Sequence, residues 1–84
     1  ENMSGEAVGR VFAYFKNVNV AAVELVAPLS VGDRISITGA TTDIEMTVDS
    51  MEIDRVPIES ATAGQSVGLL VPERVRTNDQ VSMA

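Results

Sequence analysis

Between Arg34 and Thr38 the chain alternates strictly: Ile35 and Ile37 are apolar, while Arg34, Ser36 and Thr38 are polar. A period of two marks a half-buried strand, because successive side chains point to opposite faces. The alternation returns from Asp43, with Ile44, Met46 and Val48 set against Asp43, Glu45, Thr47 and Asp49. Then the period slips. The next apolar pair, Met51 and Ile53, is odd where the first set is even. A one-residue slip turns every later side chain to the other face. A β-bulge near Asp49 and Ser50 repairs this, so one long strand kinked in its middle is expected from Asp43 to Asp54.

Other strands are expected from Ala7 to Phe15, from Val18 or Val20 to Val26, from Ser66 to Val71 and from Gln80 to Met83. Arg55 to Ile58 carries Pro57, which places it near an edge. No window holds a helical period for the ten to twelve residues a helix needs. One helical turn near Val71 to Val75, with Val75 as an anchor, is the most that the pattern allows. Residues 1–6 are polar and contain a glycine, so they are expected to fray. Residues 7–84 then form a single domain.

One short phrase occurs three times: Gly32-Asp33-Arg34-Ile35, Gly64-Gln65-Ser66-Val67 and Asn78-Asp79-Gln80-Val81. Each is a turn residue, a polar residue, any residue and a β-branched apolar one. Glycine and asparagine reach positive φ most cheaply. Each copy therefore reads as a tight turn that launches a strand. Gly39 belongs to a loop through Thr42, and Gly68, inside a strand, signals a close backbone approach or a corner. The expected fold is all-β: a small closed or nearly closed antiparallel β-barrel of six to seven strands.

Composition narrows the chemistry. The 84 residues contain no cysteine and no histidine. Disulfides, Cys/His zinc sites, Cys nucleophiles and the Ser-His-Asp triad are excluded. A chain of this size buries only about 60–65% of its unfolded surface, so its margin of stability is small. The net charge of −6 argues against bulk electrostatic binding of nucleic acid. No apolar run approaches the roughly 20 residues of a membrane span. The expectation is a soluble cytoplasmic protein, not an enzyme, with no cofactor and no metal.

Some local features still suggest binding. In simple alternation, Arg10, Phe12, Tyr14 and Lys16 share one face of the first strand, and Val11, Ala13 and Phe15 the other. Aromatic rings interleaved with cations suit a single-stranded nucleic-acid platform. The plainer alternative is a ring packed under a loop beside ordinary exposed charges. Arg74 and Arg76 flank Val75 and form a second small basic group. The acids Asp43, Glu45, Asp49, Glu52 and Asp54 line the long strand, where like charge deters edge-to-edge pairing.

From about Val8 onward the chain resembles the second, β-barrel domain (domain II) of translational GTPases, the elongation factor Tu class. The matching pieces are Gly9-Arg10-Val11, Leu29-Ser30-Val31-Gly32-Asp33, Ile35-Ser36-Ile37-Thr38-Gly39, Val48-Asp49-Ser50-Met51, Ala61 to Leu69 and Asn78-Asp79-Gln80-Val81. It is similar to short archaeal stand-alone elongation factor-like proteins, and a similar barrel also ends some collagenase-like peptidases. There are departures. The fingertip between the first two strands, Phe15 to Val20, lacks glycine, Gln65 replaces an Asp and Asn78 a glycine. No Gly-x-x-x-x-Gly-Lys-Ser/Thr loop is present, so GTP is not expected as a ligand. The resemblance implies a non-catalytic binding module that touches RNA, the ribosome or a translation factor. The alternative is a protein-interaction or regulatory module, standing alone or part of a larger chain.

Overall fold

A computed structural model describes residues 5–84, and these form strands and turns with no helix. The strands are β1 (Ala7–Phe15), β2 (Val20–Leu25), β3 (Leu29–Ser30), β4 (Arg34–Thr38), β5 (Asp43–Thr47), β6 (Met51–Ile53), β7 (Val56–Ile58), β8 (Ser60–Ala61), β9 (Ser66–Leu70) and β10 (Gln80–Met83). Eight of them make one antiparallel sheet in the order β5-β4-β10-β1-β2-β9-β6-β7, and β3 pairs with β8. Ile35, Ile37, Val23, Leu69 and Val81 point to the interior and are fully buried, or nearly so. Burying a side chain of this kind contributes about 1.5–3 kcal/mol, and such contacts supply most of the stability.

All-β architecture is as expected; a closed barrel of six or seven strands is not what forms. The hydrogen-bonded sheet has two free edges, β5 and β7. Residues 48–50 carry the chain from one edge strand, β5, to β6, next to the other edge. The ends of the sheet are thus tied by covalent chain rather than by a ladder. Val48 shows why. Its N–H donates to the Asp33 carbonyl at 2.8 Å, and its carbonyl accepts from Gly32 N–H at 2.8 Å. The turn captures the end of β5, and the expected long strand Asp43 to Asp54 divides into β5 and β6. The inward set survives the break: Met46, Val48 and Met51 are all buried.

The three phrases prove to be one structural device. Gly32, Gly64 and Asn78 have φ of +99°, +91° and +77°. Each is the third residue of a β-turn, where a type II turn requires positive φ. The fourth residue closes the turn twice. Asp33, Gln65 and Asp79 donate their N–H to the carbonyls of Ser30, Thr62 and Arg76 at 3.1, 3.2 and 3.0 Å. Their side-chain oxygens accept the N–H of those same residues, at 2.9, 2.8 and 2.8 Å respectively. Two residues on, Ile35, Val67 and Val81 plug the core. Gln65 does the work of the aspartates with a longer side chain.

The glycines Gly39 and Gly68 are sites of close approach. A Cβ at Gly39 would collide with the carboxylate of Asp79, which is buried. At Gly68 it would come within 3.2 Å of Glu52 Cγ and of Val20 Cγ1. Val75 is buried, as expected for an anchor, but the residues around it form no helical turn.

Candidate binding groove

The first strand does not hold the regular alternation its sequence suggests. Its register with β2 shifts between Val11, opposite Val23, and Ala13, opposite Ala22. Phe12 is the extra residue of this bulge, and the faces exchange beyond it. Tyr14 lies opposite the buried Ala21, packs against the core and donates its hydroxyl to Asn19 Oδ1 at 2.9 Å. Phe15 turns outward and is 53% exposed. The expected Arg10-Phe12-Tyr14-Lys16 face is therefore not assembled: Tyr14 leaves it, and Phe15 joins Phe12 outside.

The cations are scattered as well. Arg10 lies 3.9 Å from Glu24 and donates to Asn78 Oδ1 at 3.2 Å. Arg76 donates Nε–H to Thr41 Oγ1 at 2.8 Å, across the β4–β5 loop. Lys16 stands exposed in the β1–β2 turn, and Arg74 is exposed in the connection from β9 to β10. Exposed ion pairs of this sort contribute about 0–1 kcal/mol. Asp43 and Glu45 lie exposed on the edge strand β5, where repulsion blocks pairing with another sheet.

What the outer face does assemble is a groove of about 500 Å³. Cross-strand register explains its shape. Ala13, Ala22, Gly68, Glu52 and Pro57 lie opposite one another in succession, across β1, β2, β9, β6 and β7. The row is small in its first three members, which leaves a trough. Phe15, Val20 and Leu70 form the adjacent row. Phe12 and Val18, 46% and 57% exposed, add apolar surface at the β1 end. A hollow of about 320 Å³ continues the trough past Glu52 and Gly68 to Pro57 and Leu70.

The opposite wall ends in a turn with no glycine. Ile53 pairs with Val56, so Asp54 and Arg55 alone connect β6 to β7. Their φ values are +51° and +67°. A two-residue hairpin with positive φ at both positions is the type I′ arrangement, normally built from Asn-Gly or Asp-Gly. Arg55, expected as a strand residue, is instead held in this left-handed turn. Among the described residues no trio of acidic side chains converges as a metal site.

Most of this groove is missed by sequence reasoning. Simple alternation puts Phe15 on the face opposite Phe12, because the bulge at Phe12 carries no glycine or proline to mark it. Gly68 is the one floor residue with a visible signal.

No family model matches the chain. It is 41% identical over 75 residues to an uncharacterized protease of Methanocaldococcus jannaschii, covering 88% of this chain and 18% of the relative. It is 36% identical over 76 residues to a collagenase of Porphyromonas gingivalis, covering 88% of this chain and 21% of the relative. The chain thus spans about a fifth of the length of the curated relatives it matches. Among solved structures, it matches the C-terminal domain of a Geobacillus thermoleovorans protein assigned as a U32 peptidase. The TM-score is 0.88 at 16% identity, over 94% of this chain and 92% of that one. A selenomethionine variant of the same domain gives 0.87, over 92% and 98%. The chain shares the fold of that domain.

These findings overturn the resemblance to domain II of translational GTPases, and with it the expected translation-factor module. The reason is physical. The matching pieces are mostly turns and the strands they launch, and they encode how a curled sheet bends. They carry no partner-specific chemistry. No helix is long and apolar enough to cross a membrane among the described residues.

Proposed function

We propose that this chain serves as a non-catalytic, C-terminal-type module of a U32-like peptidase, offering the outer β1-β2-β9-β6 face as a docking surface for polypeptide. The observation that carries this reading is the groove itself, with Phe12, Phe15 and Val18 exposed around a floor of Ala22 and Gly68. Three neighbouring large apolar side chains left in water are a standing thermodynamic cost, and exposed apolar patches of this kind mark interaction sites. The relatives named as a protease and a collagenase supply the context, and on this reading catalysis is not the task of the module.

The test compares the gene product that carries this chain with its Phe12→Ser/Phe15→Ser variant, on gelatin and on a short peptide substrate. A raised KM for gelatin with unchanged kcat on the short peptide is the expected result. Hydrolysis of either substrate by the 84 residues alone, or identical kinetics for the two proteins, contradicts the proposal.

A further inference from the structure

The trough has a length, a floor and a charge, and together they specify an occupant. Four neighbouring strands spaced about 4.8 Å apart give it a length of roughly 15 Å, the span of four or five extended residues. Its floor is reduced to Ala22 and Gly68, so a main chain can approach the sheet closely. It runs on past Gly68 toward Leu70 rather than ending in a pit, which favours a continuous chain over a compact ligand.

Glu52 sets the charge. It is half-buried, with its Cγ over Gly68, and among the described residues its carboxylate makes no hydrogen bond or ion pair. Asp54 adds a second carboxylate on the same wall. The one cation of the lining, Arg55, is exposed beside Asp54 at the tip of the same turn, so the half-buried Glu52 carries the charge of the trough itself. A carboxylate partly removed from water beside apolar surface gains from a cation that arrives with its own apolar neighbours. The net charge of −6 opposes an acidic occupant and a second copy of this chain alike.

We infer that the trough receives an extended polypeptide segment in which a lysine or arginine, flanked by apolar side chains, pairs with Glu52 and Asp54. The inference rests on the docking role proposed above and adds the chemistry of the bound segment. The apolar side chains lie between Phe12 and the Phe15-Val20-Leu70 row.

The test is an NMR titration of the isotope-labelled chain with two capped pentapeptides, Ala-Leu-Lys-Phe-Ala and Ala-Leu-Glu-Phe-Ala. The lysine peptide is expected to shift the amides of Ala22, Glu52 and Gly68. Its affinity should fall about three- to tenfold in Glu52→Gln/Asp54→Asn, the range of one or two partly exposed ion pairs. The glutamate peptide should bind more weakly than the lysine peptide by a similar factor. Thermal melts of the variant confirm that it stays folded. Equal binding of both peptides, or unchanged affinity in the variant, overturns the inference. If neither peptide binds while Phe12→Ser/Phe15→Ser still raises the KM for gelatin, the occupant is wrong and the docking role stands. If neither effect appears, both fail. Concentration-dependent self-association that this double variant abolishes would replace the peptide with a second copy.

Discussion

Apart from Gly5 and Asn19, positive φ is reached among the described residues by two contrasting sets of turns, and they are built differently. The turns at Gly32, Gly64 and Asn78 use the residues that tolerate it, and each is locked by a side-chain oxygen on a backbone N–H. The turn at Asp54-Arg55 uses neither glycine nor asparagine. The first kind holds the core, since each launches a residue that plugs it. The second lies on the wall of the groove. The left-handed pair without glycine or asparagine lies on the outer face of the sheet, beside the groove, and not at a turn that launches a core residue. Strain retained at such a place is characteristic of functional surfaces.

The sharpest way to break this comparison is to damage the locked set. Asp79 is buried and accepts the Arg76 N–H. Asp79→Ala should lower stability by about 1–3 kcal/mol in urea unfolding, because the part-buried Arg76 N–H loses its acceptor. An unchanged midpoint would mean that the lock is ornamental. Gly64→Ala should follow at about 1–2 kcal/mol, since φ of +91° is strained for alanine although the space around it is open. A neutral thermal melt would refute the turn assignment there.

The groove side should respond with the opposite sign. Arg55→Gly relieves left-handed strain and should raise stability by about 0.5–1 kcal/mol. If it destabilises instead, Arg55 has a structural partner and the strain argument fails. Smallest of all, Phe12→Ser should shift stability by no more than about 0.5 kcal/mol, because the ring is largely outside the core. A large loss would reassign Phe12 from docking surface to core.

Much of the sheet was legible because alternation and turn chemistry are local. The ranges Ala7–Phe15, Arg34–Thr38 and Gln80–Met83 emerge as expected. The slip between Val48 and Met51 correctly signals a break, though its form depends on a partner 15 residues earlier, where Gly32 and Asp33 capture Val48. The pair β3–β8 is too short to announce itself, whereas Val56–Ile58 emerges at the sheet edge, as Pro57 implies. The aromatic residues of β1 are displaced from simple alternation by one residue. Once Phe12 bulges, Tyr14 enters the core and Phe15 leaves it, and no residue of β1 advertises that shift.

By itself, the sequence determined the all-β class, the three strand-launching turns and the exclusion of histidine and cysteine chemistry. Each of these depends on residue type and near neighbours alone. Tertiary structure decided that the sheet has two free edges, which aromatics face water, and that small residues from three strands align into a trough. Those features arise from register between distant segments, where one extra residue moves side chains from one face to the other.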